Sequence, residues 1–322
     1  MAREPVLVTG TGLIATYCAR LLLDRGASVV MCSPHASIER VRGFLGPLLS
    51  RCAVEQADVR DTQRIVELIH SRQVTRIIHG GGLGSTRVNQ QPYEGFLVNV
   101  AGVLSILEAA RVTQLTRTVL VSSIWVYRTD PPLPVDQIAV ESMPYHLPAN
   151  LYSAYKSSAE IAARAFARET GISVVNCRVA GAYGRGEFSG GGETGGLLQE
   201  LVIRALTEPA GTPIPTRFRS GERVYAKDVA EALVAALLAE ALPHDVYNVG
   251  SGEFVGPVNF AAAVNDAVPG ANLVPEDLGA PDTPLVDLNR ARLELGYEPQ
   301  WPVARTILDF VAQLRSEGIG TR

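Results

Sequence analysis

Lysine is almost missing from this sequence. Lys156 and Lys227 are the only two, and the rest of the 29 Lys plus Arg are arginines. A skew that strong reads as coding bias, and it makes each lysine worth explaining. Cysteine is scarce as well. Cys18, Cys32, Cys52 and Cys177 show no C-x-x-C spacing and no histidine cluster nearby. That argues against a disulfide framework or a metal site and for a reduced, cytoplasmic setting. The N-terminus lacks signal-peptide architecture, since Met1-Ala2-Arg3-Glu4 leads directly into an apolar strand. No run approaches the ~20 apolar residues of a membrane span. Neither charge sign dominates: 29 basic against 33 acidic residues leave −4, which excludes a general basic surface for nucleic acid. With 47% hydrophobic and 19% charged residues the chain has a core to bury, and disorder is excluded. Its 322 residues allow two domains, or one large α/β unit with an appendage.

What is present is an alternation. Pro5–Thr9 is a Val-rich run of the kind buried on both faces, and it ends at Gly10-Thr11-Gly12. Leu13–Arg25 follows with helical spacing, Gly26 stops it, and Ala27–Cys32 is a second strand. Helices over Thr62–Arg72, Phe96–Val112 and Leu151–Thr170 then alternate with strands at Thr75–His79, Thr118–Ser122 and Ser173–Cys177. This pattern predicts an α/β fold, a Rossmann-type doubly wound parallel sheet. Beyond Arg178 the rhythm breaks. Gly181–Gly196 is too rich in glycine for regular structure and reads as a loop, either a plain surface loop or a flap over a pocket. Helices at Leu197–Thr207, Lys227–Glu240 and Val258–Ala267 and a strand at Val246–Val249 follow. The expected division is a dinucleotide-binding part over 1–178, completed by parts of 222–250, and a smaller C-terminal substrate-binding part over 179–322.

Gly10-Thr11-Gly12-Leu13-Ile14-Ala15 fits G-x-G-x-x-A at a strand-to-helix junction. The first glycine makes the tight turn, the second admits a pyrophosphate, and the helix N-terminus offers it free N–H groups. NAD-selective sites place an acid at the end of the second strand to accept from the ribose hydroxyls. Here that stretch is Cys32-Ser33-Pro34-His35. Ser33 is suited to a 2′-phosphate, with His35, Arg40 or Arg42 adding charge, so the cofactor is NAD or NADP, with a lean to NADP.

Tyr152 and Lys156 stand four residues apart at the start of a helix, on one face. A tyrosine is a poor base at its ordinary pKa of ~10, and a nearby ammonium favours the phenolate. Tyr152 is therefore a candidate acid/base for hydroxyl–carbonyl interconversion. Ser122-Ser123 ends an upstream strand, where parallel sheets place groups that touch ligands. Other residues have plainer readings: Trp301 as core, His79 as a structural hydrogen-bonding group, Tyr145 and His146 as possible substrate contacts, and Lys227 with no role.

These residues, in this order, resemble the extended short-chain dehydrogenases/reductases, the NAD-dependent epimerase/dehydratase family. The likeness runs nearly end to end, through Asp58-Val59-Arg60-Asp61, Ile77-Ile78-His79-Gly80, Asn99-Val100-Ala101-Gly102, Val121–Tyr127, Glu141–Pro144, Tyr152-x-x-x-Lys156, Arg178, Asp228-Val229-Ala230, Tyr247–Gly252 and Leu295–Pro299. It implies Tyr152 as acid/base, Lys156 lowering its pKa and bonding the nicotinamide ribose, and Ser123 orienting the substrate oxygen. It further implies Gly10, Thr11, Gly12, Leu13, Ile14, Ser33, Asp58, Val59, Gly80, Gly81, Gly82, Asn99, Ser122 and Val179 around the cofactor, with Trp125, Gly181 and Arg223 beside Ser123 around the substrate, and no metal. A homodimer through Phe96–Val112 and Leu151–Thr170 is implied too.

Four departures bear on the substrate. The glycine turn is one residue short, with Ala15 in third place. Ser33 replaces the acid. Gly181 stands where sugar-nucleotide members carry an asparagine, and Gly221 where they carry an arginine, with Arg219 and Arg223 out of register. Ile124-Trp125 also replaces the Asp-Glu pair of dehydratases. The expected function is hydride transfer at a hydroxyl or carbonyl carbon of a sugar-like or natural-product small molecule. A sugar-nucleotide epimerase with tightly bound NAD is the first alternative. The second is a non-catalytic NAD(P)-sensing binding protein, against which the intact Ser123, Tyr152 and Lys156 argue.

Overall fold

Short Val- and Ile-rich strands cannot bury both faces without helices to cover them, and that requirement organises the first half of the chain. The computed structural model describes residues 4–36, 38–134, 136–186 and 193–320. It begins β1 (Val6–Thr9), α1 (Leu13–Asp24), β2 (Val29–Ser33), α2 (Ile38–Leu45), β3 (Cys52–Gln56), α3 (Thr62–Arg72) and β4 (Arg76–His79). Then come α4 (Ser85–Gln90), α5 (Pro92–Phe96), α6 (Gly102–Val112), β5 (Arg117–Ser123), α7 (Leu151–Thr170) and β6 (Val174–Val179). The chain leaves the sheet through β7 (Gly181–Tyr183), α8 (Glu193–Thr207), β8 (Pro213–Phe218), β9 (Gly221–Tyr225) and α9 (Ala226–Leu238), and returns with β10 (Val246–Val249). It ends with β11 (Phe254–Val255), α10 (Pro257–Ala267), β12 (Asn272–Asp277), α11 (Asn289–Leu295) and α12 (Val303–Ser316).

The seven strands run β10-β6-β5-β4-β1-β2-β3, with every pair parallel. Strand order reverses between β1 and β4, so the carboxyl ends of those two strands flank the crevice where such sheets bind ligands. One core lies between the sheet and α1 and α9, where Leu22, Leu23, Val229 and Leu233 are buried. A separate core joins α8, α10 and α12 through Leu201, Phe260 and Phe310.

The structure corrects two expectations and adds a strand, β3, that the sequence reading does not contain. β3 has no apolar run because only Cys52 in it is buried, so its hydrophobic signal is weak. The glycine-rich reading of Gly181–Gly196 fails at both ends: Gly181–Tyr183 is a strand paired with β9, and α8 begins at Glu193. Residues 187–192 of that stretch lie outside the described residues. The helix expected over Phe96–Val112 starts at Pro92, and Leu97–Ala101 is a π turn within it. Among the described residues, Pro92–Val112 is 21 residues long and contains an 18-residue window of mean hydropathy 1.5, enough by length and composition for a membrane span. Half of that window is buried within the protein, in part against α7.

Candidate active site

The turn after β1 needs a glycine. Gly10 has φ +94°, and a Cβ on it would lie 3.3 Å from the Gly80 carbonyl and the Gly81 nitrogen. The turns after β1 and β4 therefore meet backbone to backbone. Gly12 caps α1 without a side chain, which leaves the first-turn N–H groups for an anion. Gly12, Leu13, Ile14, Gly80, Gly82, Ser122, Ser123, Trp125, Tyr152, Lys156, Val179, Gly181 and Arg223 line one cleft of about 420 Å³. A cleft floored by glycine backbone and opened by a helix N-terminus fits a dinucleotide.

Other expected cofactor contacts stand behind this wall or to one side of it. Gly81 and Asn99 border a small internal cavity shared with His79 and Lys156. Asn99, on the π turn, clamps the loop after β4: its side chain accepts from Leu83 N–H at 2.7 Å and donates to Leu83 O at 2.8 Å. Ser122, itself in the cleft wall, donates to Glu160 at 2.8 Å. Asp58 is held by Arg60 at 2.6 Å, Val59 is buried, and Ser33 Oγ is 3.4 Å from Thr11 Oγ1.

The candidate reacting groups ride on α7. Asn150 caps it, its side-chain oxygen accepting from Ser153 N–H at 3.0 Å. Tyr152, Lys156 and Glu160 then recur every fourth residue along one face. Ser123, the last residue of β5, shares the cleft wall with Tyr152, and its Oγ accepts from Trp125 N–H at 3.2 Å. The Trp125 ring meets Tyr152 edge-on with centroids 5.4 Å apart. Arg128, absent from the sequence reading, spreads its guanidinium over Trp125 at 4.4 Å.

The electrostatics correct one expectation. Burial holds the Tyr152 phenol above its ordinary value, and Ser123 is the group that pulls it down. The Lys156 ammonium is 5.8 Å from the Tyr152 ring centre and donates to Val121 O at 2.9 Å. Burial pushes Lys156 down to about 8, with Glu160 favouring its charge. His79, as expected, is structural: Nδ1 pairs with Thr9 Oγ1 at 2.7 Å, and burial with Lys156 nearby pushes it down to about 3.

Behind α7 a buried network fixes this face. Glu160 and Arg178, each 1% exposed, pair at 2.5 Å. Glu160 also accepts from Tyr145 at 2.6 Å, and Arg178 donates to Tyr127 at 2.7 Å. Tyr145 thus belongs to the support, and His146 is exposed and does not line the cleft. Glu160 was legible in the sequence as the next residue on the Tyr152–Lys156 face; Arg128 and Asp282 of the cleft wall carry no such signal. Lys227 does have a role: it pairs with Asp309 at 2.8 Å and sits 4.6 Å over Trp301. Trp301 is half-buried and packs at the edge of the main core, its ring 5.3 Å from that of Tyr225, with Arg305 4.1 Å over it.

A doubly wound sheet with a serine, a tyrosine and a lysine at one wall of its dinucleotide cleft defines an enzyme of the short-chain dehydrogenase/reductase class. The chain belongs to the NAD dependent epimerase/dehydratase family, whose model matches residues 6–250. A UDP-glucose 4-epimerase of Corynebacterium glutamicum is 26% identical over 94% of this chain and 93% of its own length. The Thermus thermophilus UDP-glucose 4-epimerase, solved in complex with NAD, superposes with a TM-score of 0.80 at 25% identity, covering 97% of this chain and 99% of that one. The Thermotoga maritima UDP-glucose 4-epimerase with UDP-glucose has the same fold, with a TM-score of 0.81 at 19% identity over 98% and 99% of the chains.

Proposed function

We propose that this enzyme interconverts a secondary hydroxyl and a carbonyl on a sugar-like small molecule, with Tyr152 as acid/base. The observation that carries it is that Ser123, Tyr152 and Lys156 stand together in the wall of the cleft lined by Gly12 and Gly80. The bound nicotinamide supplies hydride acceptance and return at the substrate carbon. The chain moves the proton. Tyr152 exchanges it with the substrate oxygen, Ser123 steadies that oxygen, and Lys156 keeps a positive charge near the phenol. Gly10, Thr11, Gly12, Leu13 and Ile14 would hold the pyrophosphate end of the dinucleotide.

We infer a preference for NADP over NAD from Ser33 at the end of β2, where a hydroxyl replaces the carboxylate, and from Asp58, which Arg60 already engages. Parallel titration with NADH and NADPH tests this, and tighter NADH binding overturns it. Exposed Phe96, Leu151 and Ile161 support a homodimer through their helices. Four buried, unpaired cysteines support a reduced compartment, the cytoplasm.

The Corynebacterium relative, matched over nearly the whole chain, favours a second reading, a sugar-nucleotide epimerase that keeps its NAD between turnovers. Absorbance and mass analysis of the purified protein separate the two. Retained NAD(H) supports the epimerase, and cofactor-free protein that binds NADPH reversibly supports net oxidation or reduction. For either reaction, Tyr152→Phe should abolish turnover and leave cofactor binding nearly unchanged.

A further inference from the structure

Arg223 on β9 lies directly across from Gly181 on β7, and Gly221 is two residues before it on the same strand face. Its side chain is 5% exposed and yet lines the cleft that holds Tyr152. The guanidinium is spread over the two glycines. A Cβ at Gly181 would come within 2.6 Å of Nη1 and 2.8 Å of Cδ, and one at Gly221 within 3.1 Å of Nη1. A side chain at Gly181 collides with the arginine, whereas one at Gly221 collides first with Asp282 and Thr283. Gly181 therefore clears room for the cation itself, and Gly221 for the carboxylate that faces it.

The hydrogen bonding of this cation is unfinished. Nη2 donates to the Arg219 carbonyl at 3.2 Å and reaches Asp282 only at 3.4 Å, beyond the ~2.7–2.9 Å of a full charge-assisted contact. Nε is buried with no hydrogen-bond partner among the described residues. A buried donor on a cation is costly to leave unmet, so an acceptor belonging to a ligand is the economical solution. Elsewhere on the cleft wall stands a second guanidinium, Arg128, and Asp282 is the only carboxylate among the described lining residues.

We propose that Arg223 determines specificity, selecting substrates that carry an anionic group, a carboxylate or a phosphate, which accepts from Nε. The Arg219 carbonyl and Asp282 hold the guanidinium in place, Gly181 gives it room, and Gly221 gives room to Asp282. This deepens the redox reading of the same cleft, but it concerns binding and is tested without turnover.

The test uses Trp125 fluorescence, since the chain has 2 tryptophans and Trp301→Phe leaves Trp125 alone. The cofactor-loaded protein is titrated with glucose, glucuronate and glucose 1-phosphate. The anions should bind about tenfold tighter than glucose, a difference of ~1.4 kcal/mol. A preference for glucuronate alone assigns a carboxylate, and for glucose 1-phosphate alone a phosphate ester. Arg223→Gln should bring the anions to the level of glucose with glucose unchanged, and Asp282→Asn should tighten the anions further. Should Arg223→Gln fail to fold, Gly181→Ala, which sets a methyl against Nη1, should lower anion affinity in a protein whose melting is followed alongside. Equal binding of all three probes to the folded wild type, no binding of any, or an anion preference that survives these variants overturns the proposal. Turnover surviving in Tyr152→Phe would instead sink the redox reading and leave these affinities as they are.

Discussion

Tyr152 is half-buried and held above its ordinary pKa, with Ser123 the neighbour that lowers it, and the proton transfer proposed for it rests on that pair. Removing a positioned acid/base of this kind costs ~10²–10⁴ in rate. Tyr152→Phe should lose turnover on that scale while NADPH affinity, measured by fluorescence titration, stays within a few-fold; near-normal turnover would assign the proton to another group. His79 makes a different prediction. Its folded pKa is about 3 against 6.5 for the free ring, so the neutral ring contributes stability above 6.5 that is lost as pH falls toward 3. His79→Gln removes that titration. Its urea midpoint should fall less between pH 6.5 and pH 4 than that of the wild type, and an equally steep decline would place the acid sensitivity elsewhere. At this scale much was readable beforehand. Ser123, Tyr152 and Lys156 were visible because chain order and helical spacing are properties of sequence. The stacking of Arg128 on Trp125 and the approach of Asp282 to Arg223 were not, since both depend on loops meeting in space.

The elements that carry the site begin and end on few interactions. Asn150 satisfies an orphan N–H at the first turn of α7, the turn that presents Tyr152. Asn150→Ala should destabilise the protein by ~1 kcal/mol. It should also lower kcat more than substrate affinity, because fraying moves Tyr152 away from Ser123; calorimetry and steady-state kinetics together check both, and unchanged kcat would show that α7 is held by packing alone. The elements read correctly from sequence are those buried on both faces, such as β1, or stopped by a glycine, such as α7 at Gly171 with φ +76°. Among those missed, β9 is fully buried but short, and others are half-exposed. β8 alternates buried and exposed residues and pairs in parallel with β12, 59 positions away by register, from Pro213 to Asn272. Such a pairing leaves a faint local pattern and no local partner. The π turn at Asn99 was equally invisible, because one extra residue in a turn leaves the apolar spacing of the helix nearly intact.

For the whole molecule we propose a division into a dinucleotide-binding part over 1–178, completed from 222–250, and a substrate-binding part over the remainder. Its observable consequence lies in β10, which closes the edge of the sheet beside β6, and in α9, which buries Leu233 and Val234 in the first core. A fragment ending at residue 178 should therefore lack a cooperative thermal transition and bind no NADPH, as read by circular dichroism and fluorescence. A fragment that melts cooperatively would show that the first six strands suffice. The proposed homodimer is tested at the same scale. Ile161→Glu places a charge on an exposed apolar position of α7 and should shift the light-scattering mass to that of one chain, whereas an unchanged mass would locate the contact elsewhere.

The late arrival of β10 also has a consequence for biosynthesis. A ribosome delivers the glycine turn, α7 and the first six strands of the large sheet before residues 246–249 emerge. At about 5–20 residues per second the nascent chain then carries an unpaired β6 edge for several seconds. Translation speed between β6 and β10, not the stability of the finished sheet, sets how long that edge is open to neighbouring nascent chains.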